Sequence, residues 1–378
     1  MPDLLDAVRD IEPVLRAGTD LGEVDTRLPE ASLVAMRKAG LFGMWVPRAL
    51  GGLELDPVGT FRVIEEVARI DAAAGWNLQL SVGFSPFGAW LPDEGAKEIF
   101  GPDVVVAGTL FPPAQAVSVS GGYRLTGRAP FVSGCHGADW FLAPAAVEGD
   151  PTPIVAFFPA SDAEIVEHWD TLGMRGTGSH DVAVTDRFVP ARRTGPFVPF
   201  ADRPPGGVYQ GPLYRLVFWH SVAALAAPAL GIARAAIDDL VSLAGAKTPA
   251  YASTPLRDRV TAQSQVAQAR AELDAARAYL HGALAEAWQT CRTGALLSTD
   301  QRAALQLAST HAAQAAAAAV RLVHACAGTS GIRNEWPFAR HFRNVHTITQ
   351  HAFISAARYE DVGRTIFGLK PEWPFFAF

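Results

Sequence analysis

The residues able to carry acid–base or metal chemistry are few and scattered. Ten histidines and three cysteines (Cys135, Cys291, Cys326) occur in 378 residues. No pair of these cysteines forms a CxxC knuckle, and an odd, widely spaced set is no disulfide framework. Thiols in such a set belong in a reducing compartment, so a cytoplasmic protein is expected. His341, His346 and His351 stand five apart on one expected helix. At about 100° per residue that spacing turns them onto different faces, so no shared metal is expected. Each can still carry a proton, because imidazole titrates near neutrality. The nucleophile elbow, the P-loop and the HExxH pair are absent. GMRGTGSH (173–180) has glycines spaced as in a dinucleotide-binding turn, but it runs into a strand instead of a helix, and that context excludes the reading. Carboxylates are missing where they would matter most, since no Asp or Glu lies between Asp202 and Asp238.

Charge narrows the partners. With 32 basic and 38 acidic residues the chain carries a formal −6, whereas nucleic acid or an anionic membrane calls for clustered Lys and Arg. The N-terminal MPDLLDAVRDIEPVLRAG bears Asp3, Asp6 and Asp10 and has no basic segment before an apolar block, unlike a signal peptide. The uncharged windows Ala72–Pro92 and Leu216–Ala233 are interrupted by Asn77, Gln79, His220 and Pro228. They read as buried helices, not membrane spans.

The elements that must position any site fall into three zones: helical over 1–103, β over 104–200 and helical again over 201–378. At roughly 150 residues per domain this length fits two or three domains. In the first zone a helix ends near Gly40, and a longer one is expected over 60–82. In the second, Gly121–Gly122 marks a hairpin among five or more short strands, which suggests a small barrel or sandwich. In the third, four long helices are expected over 214–243, 259–288, 298–328 and about 339–363, with Ser298 as an N-cap. The Ala312–Ala319 run permits close helix approach, within the chain or between subunits.

Four segments in this order resemble the acyl-CoA dehydrogenase superfamily: AGLFGMWVPRALGGLELD (39–56), GGYRLTGRAPFVSGCHGADWFL (121–142), WDTLGMRGTGSHDVAVTDRFVP (169–190) and PFARHFRNVHTITQHAFISAARYEDVGRTIFG (337–368). Within it, FVSGCHGADW and RNVHTITQHAF resemble the flavin-dependent monooxygenase branch, which includes two-component aromatic hydroxylases and dibenzothiophene monooxygenases. The resemblance implies an α+β fold with an N-terminal helical domain, a middle β-barrel or sandwich and a C-terminal four-helix bundle, assembled as a homotetramer. It further implies reduced FMN or FAD supplied by a separate flavin reductase, and O2 activated as a flavin C4a-hydroperoxide. The substrate would be a small aromatic or apolar molecule. A dehydrogenase needs a carboxylate base, and the family's two places for it hold Ala352 and the carboxylate-free stretch 203–237.

Carried over residue by residue, the resemblance implies catalytic roles for His351 and Ser133. It implies flavin contacts from Phe131, Val132, Ser133 and Trp140, and from the glycine-rich turn Gly328, Thr329 and Ser330. By residue type alone, His351 also reads as a core histidine, Ser133 as a turn serine and AGTSGI as a helix cap. Arg175 matches a family arginine and reads equally as a surface residue. Two departures stand out. The arginine–phenylalanine–glycine motif that helps dehydrogenases hold FAD is not found over 245–262. The early-helix histidine of several relatives is replaced by NLQLSVGFSPF (77–87), where Ser81 and Ser85, or Gln79, would line the substrate pocket. The competing readings are a flavin oxidoreductase with a relocated base and a non-catalytic flavoprotein of the same fold. For a DNA-binding relative the charge is wrong.

Overall fold

The computed structural model describes residues 4–198 and 207–373, so the expected domain boundary near 200 lies outside the described residues. The N-terminal region is helical: α1 (Leu4–Asp25), α2 (Glu30–Lys38), α3 (Pro57–Ile70), α4 (Ala72–Phe84) and α5 (Asp93–Ile99). The single helix expected over 60–82 is in fact two. Asp71 takes extended backbone (φ −142°, ψ 114°), and its carboxylate accepts the Ala73 and Ala74 N–H groups at 2.8 and 3.0 Å, capping α4. At Gly75 a Cβ would lie 2.7 Å from the Ala68 Cα, so only glycine lets α3 and α4 close to this distance. α4 is buried along almost its whole length, as its lack of charge requires.

The middle region is one eight-stranded sheet: β1 (Val106–Gly108), β2 (Ala114–Val119), β3 (Gly122–Val132), β4 (Trp140–Val147), β5 (Ile154–Pro159), β6 (Glu164–Val166), β7 (His180–Pro190) and β8 (Thr194–Pro196). The order is β6-β7-β3-β2-β4-β5-β8, with β1 parallel to β4. The β2–β3 hairpin turns at Gly121 (φ +81°), pairing Val119 with Gly122. Leu125, Phe141, Phe158 and Val182 belong to the sheet's own apolar core. Along β3 the pairing with β7 shifts between Ala129 and Val132, a bulge of the kind that re-aims a strand end. The bulge throws Phe131 into left-handed backbone (φ +59°) and delivers Ser133 just past the strand.

The C-terminal region comprises α6 (Trp219–Ala224), α7 (Ala227–Ala246), α8 (Val260–Arg292), α9 (Thr299–Ala327), α10 (Phe338–Ile348) and α11 (Arg358–Ile366). Two expected helices are broken. The first is interrupted at Val217 and again before Pro228, which sits in the first turn of α7. The last, expected from 339 to 363, stops at Ile348. There the Thr347 and Thr349 hydroxyls bond back to Arg343 O and His346 O, and isolated three-residue turns replace the helical ladder. His351 therefore sits in a turn, not on a helix face. Ser298 and Gln301 form the capping box that opens α9. Ala312, Ala313, Ala316 and Ala319 are all buried, so the alanine run serves packing within the chain.

α4 is the element that joins the three regions. Ser81 Oγ accepts the Val106 N–H at 3.0 Å, tying α4 to β1, and Gln79 Nε2 donates to Ser221 O at 3.2 Å, tying it to α6. Its Trp76 lies between the end of β3 and the turn after α10. The β region also meets the bundle directly, the Met174 N–H donating to Asn344 Oδ1 of α10 at 2.7 Å.

Candidate active site

Ser133 is 7% exposed, and its Oγ accepts the Trp76 Nε1–H at 3.1 Å. It lies 2.7 Å from Ser179 Oγ, which lies 2.7 Å from Thr177 Oγ1. Thr177 Oγ1 donates to Met174 O at 2.7 Å. A hydroxyl has one proton, so this last bond orders the chain. With its proton given to Met174 O, Thr177 accepts from Ser179, and Ser179 in turn accepts from Ser133. Ser133 thus has no proton left to give. Toward anything bound beside it, it offers a lone pair only.

Across Trp76 from Ser133 stands His351, with ring centroids 5.4 Å apart at 71°. The imidazole also stacks on Phe353 (5.9 Å, 28°), and Phe353 packs against Phe218 and Trp373. The Phe353 N–H approaches His351 Nδ1 at 3.4 Å. Nε2 makes no hydrogen bond to another described residue and retains some solvent contact, which leaves it as the atom through which a proton can pass. Burial pushes the imidazole pKa down to about 4, so the ring is neutral at neutral pH.

The other residues named from sequence scatter. Val132 is buried and pairs with His180 in the sheet. Phe131 is 66% exposed and meets Trp169 edge-on at 6.0 Å. Trp140 opens β4 with the Arg193 guanidinium 4.9 Å over its ring. Ser81 and Ser85 are both buried and engaged with backbone, Ser81 with Val106 as above and Ser85 donating to Trp45 O at 3.2 Å. Gly328, Thr329 and Ser330 form a tight turn after α9. His324, bonded to Gly331 O, packs on Phe342 of α10, nine residues before His351, and no hydrogen bond or ring contact among the described residues joins this turn to Ser133 or His351. Arg175 is engaged by Asp170 and Glu23 O. His341 pairs with Asp239, and His346 bonds Phe342 O.

Sequence reasoning missed Trp76, Ser179 and Thr177, and it missed Lys247. The first three make Ser133 what it is, and two of them lie in the GTGS segment whose glycine spacing pointed elsewhere. Lys247 Nζ donates to Ala327 O at 2.6 Å and to Ser330 Oγ at 2.9 Å. It stands in the stretch where the family's cofactor-holding arginine motif was sought, and it puts a cation on the glycine-rich turn. Among the described residues no group of three His, Cys, Asp or Glu side chains is placed to hold a metal. Cys135 donates to Gly178 O, and burial drives its thiol up to about 12, which removes it as a nucleophile.

Residues 7–97 match the N-terminal domain of acyl-CoA dehydrogenase, and residues 223–356 match its C-terminal domain. Indole-3-acetate monooxygenase of Pseudomonas putida is 38% identical over 380 aligned positions, covering 97% of this chain and 93% of the relative. The chain belongs to the acyl-CoA dehydrogenase superfamily, in its flavin-dependent monooxygenase branch. The flavin-dependent monooxygenase oxygenase subunit HsaA of Mycobacterium tuberculosis is 28% identical over 97% of this chain and 96% of its own. XiaF from Streptomyces, solved in complex with FADH2 and glycerol, superposes with a TM-score of 0.91 at 25% identity, over 98% of this chain and 96% of that one. The residue after His351 is Ala352, so no carboxylate stands at that position. The flavin also fits the residues present: a hydroxyl restricted to accepting suits the N5–H of a reduced ring, and Phe131 keeps an apolar face open that an aromatic ring system would cover.

Buried neutral histidines leave a signature in stability. His351 and the fully buried His220, whose pKa falls to about 3, both titrate far below the unfolded value of about 6.5. The fold favours their neutral forms, so their contribution is complete above pH 6.5 and is lost as pH falls toward 4. Denaturant midpoints are expected to stay level from pH 8 to 7. Below pH 6.5 each group should remove about 1.4 kcal/mol of stability per pH unit. A midpoint that rises on acidification to pH 5 would contradict this.

Proposed function

We propose that this protein is the oxygenase component of a two-component system, hydroxylating a small aromatic acid of the indole-3-acetate type with FADH2 from a separate flavin reductase. The balance is one O2, one FADH2 and one substrate in, and one hydroxylated product, one water and FAD out. The observation that carries the reading is the polarised hydroxyl chain ending on Ser133, placed across Trp76 from a neutral histidine. When bound, reduced flavin supplies the two electrons that activate O2. Ser133 would accept from the N5–H of the reduced ring, and His351 Nε2 would pass a proton to or from the reacting substrate. Trp76, Phe353 and Phe218 give a flat ring apolar walls. The similarity to indole-3-acetate monooxygenase supports the substrate class, and the FADH2 bound by XiaF supports FAD over FMN.

Lys247 and the Gly328–Ser330 turn would hold the cofactor phosphate, as an ammonium placed on a glycine-rich turn suits an anion. In this reading they would serve a neighbouring subunit of a cytoplasmic homotetramer. One apolar 18-residue run within Thr299–Ile332 is only 50% buried in the single chain, which supports such an assembly.

The test is a single turnover. Anaerobic protein is loaded with photoreduced FAD or FMN and mixed with ¹⁸O2 in the presence of indole-3-acetate. The expected product gains one labelled oxygen, in higher yield with FAD. Peroxide alone, together with bleaching of bound flavin by acyl thioesters, would favour the dehydrogenase with a relocated base.

A further inference from the structure

The segment that opens the bundle holds two features that cost free energy and are not used by the site as described. Val217 is 5% exposed and sits at φ +53°, ψ −115°, outside the regions a β-branched residue tolerates. Strain of this kind persists where the surroundings impose it, and it concentrates at binding and catalytic sites. Three residues on, the side chain of His220 is wholly buried, with neither Nδ1 nor Nε2 bonded to any described residue. Its ring packs on Trp45, with centroids 4.3 Å apart. Buried polar groups are almost always satisfied, so an imidazole with both nitrogens idle is an exception that needs a reason.

His220 is not idle alone. Gln79 Oε1 and Trp45 Nε1 are buried and unbonded as well. Gln79 Nε2 is fixed to Ser221 O, the carbonyl next to His220, so the idle amide oxygen lies on the same seam between α4 and α6. That seam also borders the reacting centre. Gln79 stands one turn along α4 from Trp76, and Phe218, two residues before His220, packs on the Phe353 that stacks against His351.

We infer that His220, with Gln79, is the hydrogen-bonding end of the substrate pocket and accepts the ring N–H of a heteroaromatic substrate. The inference rests on the substrate class proposed above. An apolar wall would bind any flat ring. A pair of idle acceptors rejects an analogue that leaves them unpaired, which is how a buried polar site discriminates.

The test compares indole-3-acetate with benzofuran-3-acetate, in which oxygen replaces the N–H, on the FAD-loaded enzyme and its His220→Leu and His220→Asn variants. The wild type should prefer the indole by at least about tenfold in kcat/KM, the scale expected when a buried acceptor is left empty. His220→Leu should bring the ratio to about one, and His220→Asn should restore part of it. Without substrate, His220→Leu should raise Tm, because an apolar group replaces an unsatisfied one. Equal loss on both acids, or a fall in Tm of several degrees, would make His220 a structural residue served by buried water and overturn the inference. A wild type that oxidises neither acid would instead sink the substrate class. His220 is then read from the Tm shift given by indole against benzofuran, a larger shift with indole supporting it and equal shifts overturning it.

Discussion

Replacing His351 with alanine is expected to slow hydroxylation by about 10²–10⁴-fold while bound reduced flavin continues to be oxidised, its electrons leaving as peroxide. The magnitude is that of a positioned acid–base group. Specificity for the proton step follows from the surroundings. The backbone N–H and carbonyl of His351 hold the turn after α10, bonding to Ile348 O and accepting from Ile354 and Ser355. The side chain contributes only stacking and the long Nδ1 contact, so alanine leaves the turn in place. The pH dependence gives a second readout. With the imidazole at about 4 rather than near 6.5, the wild-type rate should be level from pH 8 to 6 and should fall only as pH drops toward 4. An inflection near 6.5 would mean that the ring is solvated and uninvolved. A product rate within threefold of wild type in the alanine variant would remove His351 from the chemistry.

How far the sequence could lead is visible in where it stopped. The order of helical, β and helical zones follows from run type alone, and each zone folded as its composition required. The helix breaks were harder. Asp71 sits in RIDAAAG, where a single acid reads as an ordinary helix residue, and its capping bonds to Ala73 and Ala74 exist only once the chain turns. ISAAR after His351 is helix-favouring by propensity, yet hydroxyl back-bonding upstream ended the helix first. Motif context found Ser133 and His351 as single positions. Their partners lie 57 and 46 residues from Ser133 in sequence, in Trp76 and Ser179, and no local periodicity carries information over that range. Lys247 was hidden for a different reason. The family's motif is built on arginine, and a lone lysine in AGAKTP has no pattern until Ser330 stands beside it.

Those long-range partners decide the last expected result, a change in which redox state of the flavin the protein prefers. In the wild type the Ser133 proton is committed along the chain to Ser179, Thr177 and Met174 O, so Ser133 can only accept. A reduced flavin with its N5 at Ser133, as proposed, would present N5–H, a donor, and be matched; an oxidised flavin would present a bare N5 and meet a lone pair. Ser179→Ala frees the Ser133 proton to turn toward the ligand, and the preference for the reduced ring should fall. One hydrogen bond exchanged for a mismatch is worth about 1–2 kcal/mol, or roughly 5–30-fold in the ratio of oxidised to reduced dissociation constants. Ser133→Ala should lose the preference as well, but it also strands the buried Trp76 Nε1–H, so it should cost stability of about 1–3 kcal/mol that Ser179→Ala largely avoids. The two variants therefore separate in denaturant midpoint while agreeing in flavin preference. Anaerobic titration of each protein with oxidised and with reduced FAD measures the ratio directly. An unchanged ratio in Ser179→Ala would mean that Ser133 does not face N5, and the flavin would then have to be placed against Phe131 and Trp169 alone.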